Sequence, residues 1–565
     1  MRGIFIPLMA GVILSAASSN QLSAQFSRYA VSLRDKHATS FTFSNPLAYL
    51  SQRAIDRRTR YGLAIDSTDL PVPATYVAQI SAIPNVTLLN VSKWLNLVTI
   101  QTSDPAALAA IRSLPFVTGT APVAARMNRA GSKTEQVARA TSTARSMQAQ
   151  ANYFNYGTSS FNEIHLHKGE FLHNIGLRGQ GMEIAMLDNG FNNYTSSSFD
   201  AFDSVNANHQ VLGTWDFVAR EADVTNDGNH GMSCFSTIAG NIPGQFIGKA
   251  PYANFWLFQT EDNSSEYPVE EINWACGAER ADSSGADVIS SSLGYTTFDS
   301  TSLSHTYADM NGNTTWAATA ADLAAKKGIL VLISNGNDGN SAWHFLSTPA
   351  DGDSVIAVGA VDVNGTLGSF SSYGPSADGR VKPDVASVGV SAFLETANGT
   401  PGFGSGTSFA CPNMAGLSTC LWQGFPEFNN MQIRAALWAA GSNATTPDAR
   451  TGYGIPDMRK AFLYLVTQFS TANGSVSGCN ASVSWTSKDV STMSYELERK
   501  SASDASFSKI ADIPAVTGRS ILNTASYQYT DTLTNANAGI LQYRIRQVVD
   551  TGAGFAYIDT VSLNL

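Results

Sequence analysis

The chain has 565 residues and a formal net charge of −10, and 43% of its residues are hydrophobic. This length exceeds a single hydrophobic core and predicts three or four domains, at roughly 100–200 residues each. Only 14% of the residues are charged, against about 25% in an average soluble domain, a balance common in exported proteins. No run of lysine and arginine supplies the basic face that nucleic acid binding requires, so we expect no nucleic acid partner.

Residues 1–25 have the pattern of a signal peptide. Arg2 gives a positive start, and the apolar stretch 4–17 is too short to span a bilayer comfortably. Small residues follow, so we expect cleavage near Ala24. A membrane anchor is the alternative, but polar Ser, Asn and Gln follow the apolar stretch at once. The sequence therefore predicts a secreted protein whose mature form has no transmembrane segment.

Residues 26–125 have the pattern of a small α+β domain. Its segments are the alternating strands 28–33 and 97–102 and the helices 46–61 and 105–114. From residue 121 to residue 150, Ala, Ser, Thr, Arg and Gln replace nearly all large apolar side chains. Such a stretch buries little surface, so we expect an exposed, cleavable linker. Since the small domain is predicted to end at residue 125, the linker is assigned to residues 126–152.

Residues 153–468 alternate short apolar strands with helices. The clearest segments are strands 183–187, 288–289 and 328–333 and helices 269–283 and 315–327. This alternation predicts a parallel sheet with helices on both faces, whose chemistry lies at the carboxyl ends of the strands.

Residues 471–565 alternate with period two between Gly, Asn and Ser turns. The predicted strands are 481–485, 494–498, 527–531 and 541–549. The pattern favours an all-β sandwich.

Three short motifs in the α/β region carry chemistry. Asp188 closes an apolar strand, His230 lies between Asn and Gly before a predicted helix, and Ser408 lies in Gly-Thr-Ser-Phe-Ala-Cys-Pro. A serine hydroxyl becomes a good nucleophile only when a base takes its proton, and a neutral histidine does this near pH 7. The histidine in turn needs a carboxylate that fixes its tautomer and stabilises the imidazolium.

These motifs resemble the Asp, His and Ser blocks of the subtilisin (subtilase) family, in that family's chain order. The resemblance covers about residues 155–465 and implies a subtilisin-like α/β fold with Asp188, His230 and Ser408 as the catalytic triad. Ser334-Asn-Gly-Asn337 resembles the family's oxyanion segment, which implies that Asn337 and the Ser408 amide bind the oxyanion.

The resemblance also implies two walls of a substrate pocket. Ser292, Leu293 and Gly294 match one wall, and Ser334, Asn335 and Gly336 match the other. The sequence departs from the usual family pattern at Asn189 after the aspartate, at Met232-Ser233 after His230-Gly231 and at Asn335. These departures leave the catalytic groups in place and leave the cleavage preference open.

By position and size, residues 26–125 resemble the inhibitory propeptides of subtilases, and 471–565 resembles fibronectin type III-like modules. The resemblance therefore implies a secreted serine endopeptidase made as a self-processing zymogen, with protein or peptide substrates and its own propeptide as intramolecular inhibitor. A permanent substrate-recognition domain is the alternative for the N-terminal unit. For the C-terminal module, substrate docking, surface attachment and export all stay open.

No cofactor takes part in this chemistry; structural calcium is common in the family, but no clear ligand loop supports it here.

Two other classes of function fit the sequence less well. A binding protein with a disabled protease fold would lack a triad member, and all three are present. A lipase or esterase would carry Gly-x-Ser-x-Gly and the chain order Ser, Asp, His, neither of which occurs at Ser408.

The remaining candidate residues favour structural roles. The five cysteines have no metal-ligand spacing and are compatible with free thiols or with one or two disulfides; they are Cys234, Cys276, Cys411, Cys420 and Cys479. Cys411 is better explained as a small, packed side chain than as a reactive thiol.

A metal site at His165, His167 and His173 lacks a partnering Cys or carboxylate pattern. The acidic run Glu261, Asp262, Glu266, Glu270 and Glu271 could bind calcium or basic substrate residues, but we expect a solvated acidic surface near the cleft.

Overall fold

The computed structural model describes residues 26–125, 152–534, 539–550 and 554–565. The predicted signal peptide, 1–25, and all but the last residue of the predicted linker, 126–152, lie outside these residues. Within the described ranges, no helix is both long enough and apolar enough to cross a bilayer.

The N-terminal unit is an antiparallel four-stranded sheet covered by short helices. Its elements are β1 (Phe26–Leu33), α1 (Gln52–Tyr61), α2 (Ala74–Ser81), β2 (Thr87–Ser92), β3 (Leu97–Gln101), α3 (Pro105–Arg112) and β4 (Val117–Ala125). The strand order is β2-β3-β1-β4. One expectation is wrong: residues 121–125 belong to β4 rather than to the linker, because Val123 and Ala124 are buried. The predicted first helix begins at Gln52, where the Ser51 hydroxyl caps it by accepting from the Ala54 amide at 3.2 Å.

The central unit contains a parallel seven-stranded sheet. In sheet order its strands are β13 (Val385–Val388), β12 (Ile356–Val361), β11 (Leu330–Ser334), β10 (Val288–Ser291), β5 (Glu183–Asp188), β9 (Asn254–Gln259) and β6 (Val211–Asp216). Short antiparallel ladders join β7 (Asn241–Ile242) to β8 (Phe246–Ile247), and β14 (Ala392–Glu395) to β15 (Pro401–Gly404).

Helices cover both faces of this sheet, as predicted. They are α4 (Thr158–Leu166), α5 (Glu170–Asn174), α6 (Asp203–Ala207), α7 (His230–Ala239), α8 (Val269–Ser284), α9 (Trp316–Lys326), α10 (Thr407–Gln423), α11 (Asn430–Ala439) and α12 (Met458–Phe469). In β5, Ile184 and Met186 pack into one core with α7 and α10, whereas Ala185 and Leu187 pack into the other with α8 and α9. Because both faces are buried, the strands read as continuous apolar runs instead of alternating ones.

The C-terminal unit contains two antiparallel sheets. One holds β16 (Thr471–Ser477), β17 (Asn480–Lys488) and β20 (Thr524–Thr532), and the other holds β19 (Ser508–Pro514), β18 (Ser494–Lys500), β21 (Ile540–Asp550) and β22 (Gly554–Asn564). The rings of Trp485 and Tyr495, one from each sheet, lie 5.5 Å apart in a buried core. The two sheets therefore pack face to face, as a sandwich requires.

Candidate active site

Three elements bring Asp188, His230 and Ser408 to one edge of the parallel sheet. Asp188 is the last residue of β5, His230 is the first residue of α7, and Ser408 is the second residue of α10. This edge carries the carboxyl ends of the strands, where open α/β sheets place their ligands.

Asp188 and His230 form a close hydrogen-bonded pair. The Nδ1 atom of His230 lies 2.6 Å from Oδ1 of Asp188, and Asp188 is fully buried. The same carboxylate oxygen accepts the Asn189 amide at 2.9 Å. With Nδ1 engaged in this way, Nε2 is the histidine nitrogen left for the cleft.

The surroundings of His230 change its acidity. Burial opposes the charged imidazolium, but the Asp188 carboxylate outweighs burial and raises the pKa of His230 well above its ordinary value. A histidine that serves as a general base must be neutral, so this shift would move such a role toward alkaline pH. The raised pKa of His230 contradicts the expectation, made from the sequence, that this histidine has an ordinary pKa.

We expect kcat/KM for a peptide substrate to rise as pH increases from 6 to 9, since the neutral fraction of His230 rises with pH. A pH profile of kcat/KM checks this, because that parameter reports ionisations of the free enzyme. A profile already flat between pH 6 and pH 9 would contradict the raised pKa.

Ser408 lies in the first turn of α10 and lines the same cleft as His230. Its hydroxyl donates to the Ser292 carbonyl at 3.4 Å rather than to His230, and the Ser292 hydroxyl donates to the Ser408 carbonyl at 2.7 Å. Ser408 is thus held against the residue that follows β10. Free amides of a helix's first turn favour negative charge beside the hydroxyl.

Asn337 is fixed by a neighbour of Ser408. The Thr407 amide and hydroxyl both donate to Oδ1 of Asn337, at 2.8 Å and 2.9 Å. Since both are donors, the Asn337 oxygen must face Thr407, and its NH₂ group is the end that remains for the cleft. Thr407 therefore orients the amide.

Replacing Asn337 by alanine is expected to lower kcat by about 10²–10³-fold with little change in KM, a magnitude established for an oxyanion donor of subtilisin. Thr407→Val, which removes one of the two bonds to Oδ1, should lower kcat by about 10-fold. Steady-state kinetics on one peptide substrate measure both, and the exposed Thr301→Val should match the parent enzyme. A rise in KM alone would instead assign Asn337 to ground-state binding.

The cleft has a volume of about 300 Å³ and separates the two predicted pocket walls. Ser292, Leu293 and Gly294 line it, as do Ser334 and Gly336. Asn335 differs: it is fully buried, and its amide donates to the Ser372 carbonyl at 2.7 Å. Its side chain therefore does not line the cleft, because it points away behind the wall.

The acidic run is mostly buried, so the expected solvated acidic surface is wrong. The Glu270 carboxylate accepts the amides of Asp262 and Tyr267 at 2.8 Å and 2.9 Å, just before α8. Glu271 lies 2.6 Å from Nε2 of His305. Both glutamates lie in the first turn of α8, where the helix dipole favours negative charge. Glu261 and Glu266 line the cleft, and with Glu270 they form a cluster whose oxygens approach one another closely.

The other sequence candidates have structural partners. The ring nitrogens of His167 lie 3.0 Å and 2.9 Å from the Pro456 carbonyl and the Ser387 hydroxyl. His173 contacts the Tyr156 hydroxyl and the Lys249 carbonyl, and His165 contacts Glu170. In the described residues, the three histidines thus do not share a metal site. Cys411 is buried as a free thiol, and the four other cysteines are also free.

Cys234 is a neighbour of the site that the motifs did not indicate. Its sulfur lies 3.9 Å from Nδ1 of His230, one turn along α7, and 3.3 Å from the Ser408 carbonyl. Burial raises the pKa of this thiol to about 11, so the thiol is neutral near pH 7. The i, i+4 spacing on a predicted helix was the signal available in the sequence.

A buried carboxylate lies behind α7. Glu395 is fully buried, and neither of its carboxylate oxygens has a hydrogen-bond partner among the described residues. Its backbone is bonded to the hydroxyls of Ser233 and Ser236 on α7. Burial, together with the nearby charge of Asp200, raises the pKa of Glu395 from 4.5 to about 7. The folded protein therefore favours the protonated form.

Glu395 should make the protein less stable as pH rises. Between pH 4.5 and 7 the unfolded chain releases this proton and the folded chain keeps it, which costs about 3 kcal/mol by pH 7 and stays constant above. Glu395→Gln removes the titration, so its melting temperature relative to the parent should rise by several degrees from pH 5 to pH 8. Melts on a Ser408→Ala background avoid self-digestion, with the exposed Glu221→Gln as matched control. If the melting temperatures of the parent and of Glu395→Gln changed in parallel with pH, the raised pKa of Glu395 would be contradicted.

Two family models match this chain. Residues 179–454 match the model of the subtilase family, peptidase S8, and residues 28–140 match the model of the peptidase S8 propeptide domain of Bacteroidota. The first match contains all three strand and helix ends that carry Asp188, His230 and Ser408.

Individual relatives match the same central region. Subtilisin from Bacillus pumilus is 31% identical over 274 residues, 48% of this chain and 87% of the relative. Subtilisin Savinase from Lederbergia lenta is 32% identical over 47% of this chain and 85% of the relative. Against subtilisin NAT from Bacillus subtilis subsp. natto, at 32% identity, the match covers 48% of this chain but only 63% of the relative. The crystal structure of MycP1 with its N-terminal propeptide removed overlaps 53% of this chain and 96% of its own, with a TM-score of 0.43 and 20% identity. Because the chain is 31% and 32% identical to two subtilisins over 87% and 85% of their lengths, it belongs to the subtilase family.

Proposed function

We propose that the protein is a secreted serine endopeptidase that hydrolyses peptide bonds in proteins through an acyl-enzyme formed on Ser408. The observation that carries the proposal is the 2.6 Å contact between Asp188 and Nδ1 of His230, in a cleft that His230 shares with Ser408. A buried carboxylate, a histidine and a serine at a helix start are the parts that acyl transfer by a serine requires.

The reaction begins when Nε2 of His230 takes the proton of the Ser408 hydroxyl. Oγ of Ser408 then bonds to the peptide carbonyl carbon. The carbonyl oxygen becomes an oxyanion, which the Asn337 NH₂ group and the Ser408 amide stabilise. Asp188 stabilises the imidazolium. His230 then gives the proton to the leaving amine, and the C–N bond breaks.

Water completes the cycle. His230 takes a proton from a water molecule, whose oxygen attacks the acyl carbon. The bond from Oγ to carbon breaks, Ser408 regains the proton, and the second product leaves as a carboxylic acid. The two half-reactions balance without a redox or metal cofactor.

We assign the N-terminal unit, 26–125, as an inhibitory propeptide, with processing in the linker 126–152. The family match over residues 28–140 supports this assignment. Contacts with α8 support it too, since the Glu279 carboxylate accepts the amides of Lys93 and Trp94 at 2.9 Å and 3.0 Å. Residues 153–468 are then the peptidase unit, and 471–565 an appended β-sandwich.

A covalent label tests the proposed nucleophile directly. A fluorophosphonate reagent, which reacts with activated serines, should modify the processed protein once, on the peptide that contains Ser408. Ser408→Ala should take up no label, and Ser302→Ala, at an exposed serine of the same unit, should react as the parent does. Labelling of Ser408→Ala at the parental rate would refute the role of Ser408.

A further inference from the structure

Asn189 directly follows Asp188, at one of the positions where the sequence departs from the usual family pattern. It is 8% exposed and lines the cleft. Its backbone amide donates to Oδ1 of Asp188, the oxygen that lies 2.6 Å from Nδ1 of His230. The other carboxylate oxygen, Oδ2, is buried and has no hydrogen-bond partner among the residues that the structure describes. The side chain of Asn189 therefore leaves this oxygen unbonded and turns to other partners.

Asn189 and Asn263 exchange hydrogen bonds with each other. Nδ2 of Asn189 donates to Oδ1 of Asn263 at 3.1 Å, and Nδ2 of Asn263 donates to the backbone carbonyl of Asn189 at 3.0 Å. Asn263 lies in the segment 260–268 that connects β9 to α8, here called the cleft wall, whose Glu261 and Glu266 line the cleft. The two bonds therefore tie the cleft wall to the end of β5.

The oxygen of the Asn189 side chain reaches α7. Oδ1 accepts the Gly231 amide in a long hydrogen bond of 3.4 Å, one residue after His230. The surrounding backbone is tightly packed, since a Cβ atom on Gly231 would lie 2.8 Å from Cβ of Asp188. A Cβ atom on Gly228 would lie 2.4 Å from Oδ1 of Asn189. The Asn189 side chain is thus enclosed between the two elements that carry Asp188 and His230.

This arrangement uses both ends of the Asn189 amide, because the NH₂ group donates and the oxygen accepts. Aspartate would lack the donor and would place a second negative charge beside Asp188, whereas alanine would lose both bonds. The amide therefore connects three parts of the site: the cleft wall, Asp188 and the start of α7. Catalytic groups depend on such support, since a misplacement of about 1 Å can cost 10²-fold in rate.

We propose that Asn189 is a positioning residue, which together with Asn263 couples the cleft wall to the Asp188–His230 pair. A substrate held against the cleft wall then fixes this pair in the geometry that proton transfer needs. Asn189 acts through Asp188 and His230 and not on the substrate bond. This role rests on the proposed function, in which His230 is the base for Ser408.

The first test measures kcat and KM of the processed protein on one peptide substrate. Asn263→Ala should lower kcat by about 10-fold and Asn189→Ala by about 30-fold, with KM changed by less than about three-fold. Because both variants break the same pair, the double variant should be no worse than Asn189→Ala. Asn313→Ala, at an exposed asparagine whose amide bonds to Asn311, is the matched control and should stay within about two-fold. Parental kcat in Asn263→Ala, independent losses that multiply in the double variant, or a change in KM alone overturns the proposal.

The second test does not need a working nucleophile. In Ser408→Ala, proton NMR records the downfield resonance of the Nδ1 proton between His230 and Asp188, and its titration with pH. The titratable groups that the described residues place beside His230 are Asp188 and Cys234, and every variant retains both. Adding Asn263→Ala should lower the titration midpoint by about 0.5 pH unit or more, because a looser contact with Asp188 stabilises the imidazolium less.

The two tests separate the positioning role from the proposed function. A lowered midpoint in Asn263→Ala, an unchanged one in Asn313→Ala and the non-additive loss of kcat together support the role. An unmoved midpoint in Asn263→Ala overturns it even if kcat falls, since the cleft wall would then act on the substrate alone. An equal shift in Asn313→Ala also overturns it. If the parent hydrolyses no peptide, the proposed function fails, and the midpoint alone decides whether Asn263 and Asn189 position His230.

Discussion

Replacing Ser408 by alanine is expected to lower kcat by about 10⁶-fold, the loss found when the nucleophile of subtilisin is removed. The structure gives the reason. Ser408 lies at the start of α10 in the cleft that also contains His230, and alanine removes only the oxygen that would form the acyl bond. Since the Ser408 amide and Asn337 remain, a residual rate of about 10³–10⁴-fold over water should persist.

Single-turnover assays with a chromogenic peptide measure this loss, after active-site titration of the parent with the fluorophosphonate. Circular dichroism melts at one pH check that Ser408→Ala keeps its fold, since its buried surface is almost unchanged. Activity within about 10-fold of the parent would mean that another group is the nucleophile.

Asp188→Asn is expected to lower kcat by about 10⁴-fold while the substrate still binds. An amide in place of the carboxylate cannot hold His230 in the required tautomer or stabilise its imidazolium. The variant should also lower the pKa of His230, because the charge that raises it is gone.

Stopped assays across pH separate the two effects of Asp188→Asn. The rate should fall at every pH, and the remaining pH dependence should shift toward lower pH. Asp203→Asn, at a residue exposed on α6 of the same unit, should behave as the parent. A variant at Asp188 that loses less than 10-fold in kcat would show that the 2.6 Å contact is structural only.

Short-range patterns in the sequence predicted the parallel sheet and the edge at which its chemistry lies. The strand that ends at Asp188 reads as a continuous apolar run, and Gly-Thr-Ser before an apolar helix reads as a nucleophile at a helix start. The helix predicted over 315–327 spans Trp316–Lys326, and the Thr315 hydroxyl caps it. These features depend on residues that are neighbours in the chain.

Features that depend on distant residues could not be predicted in this way. Thr407 orients Asn337 across 70 residues, and Arg57 reaches Asp282 across 225. Periodicity gives the helix that carries Arg57 but not the surface that the helix meets. For the same reason the sequence predicts a solvated acidic surface, since nothing local shows that the Glu270 carboxylate accepts amides in the segment before α8.

The most direct measurement is the intact mass of the exported protein, wild type beside Ser408→Ala, expressed in the same host. The wild type should lose roughly its first 150 residues, whereas Ser408→Ala should keep everything beyond the signal peptide. That difference would establish Ser408 as a working nucleophile in a protease that processes itself. If neither form is trimmed, the N-terminal unit is no propeptide and the zymogen account fails; if both are trimmed alike, processing belongs to another protease and self-maturation is wrong.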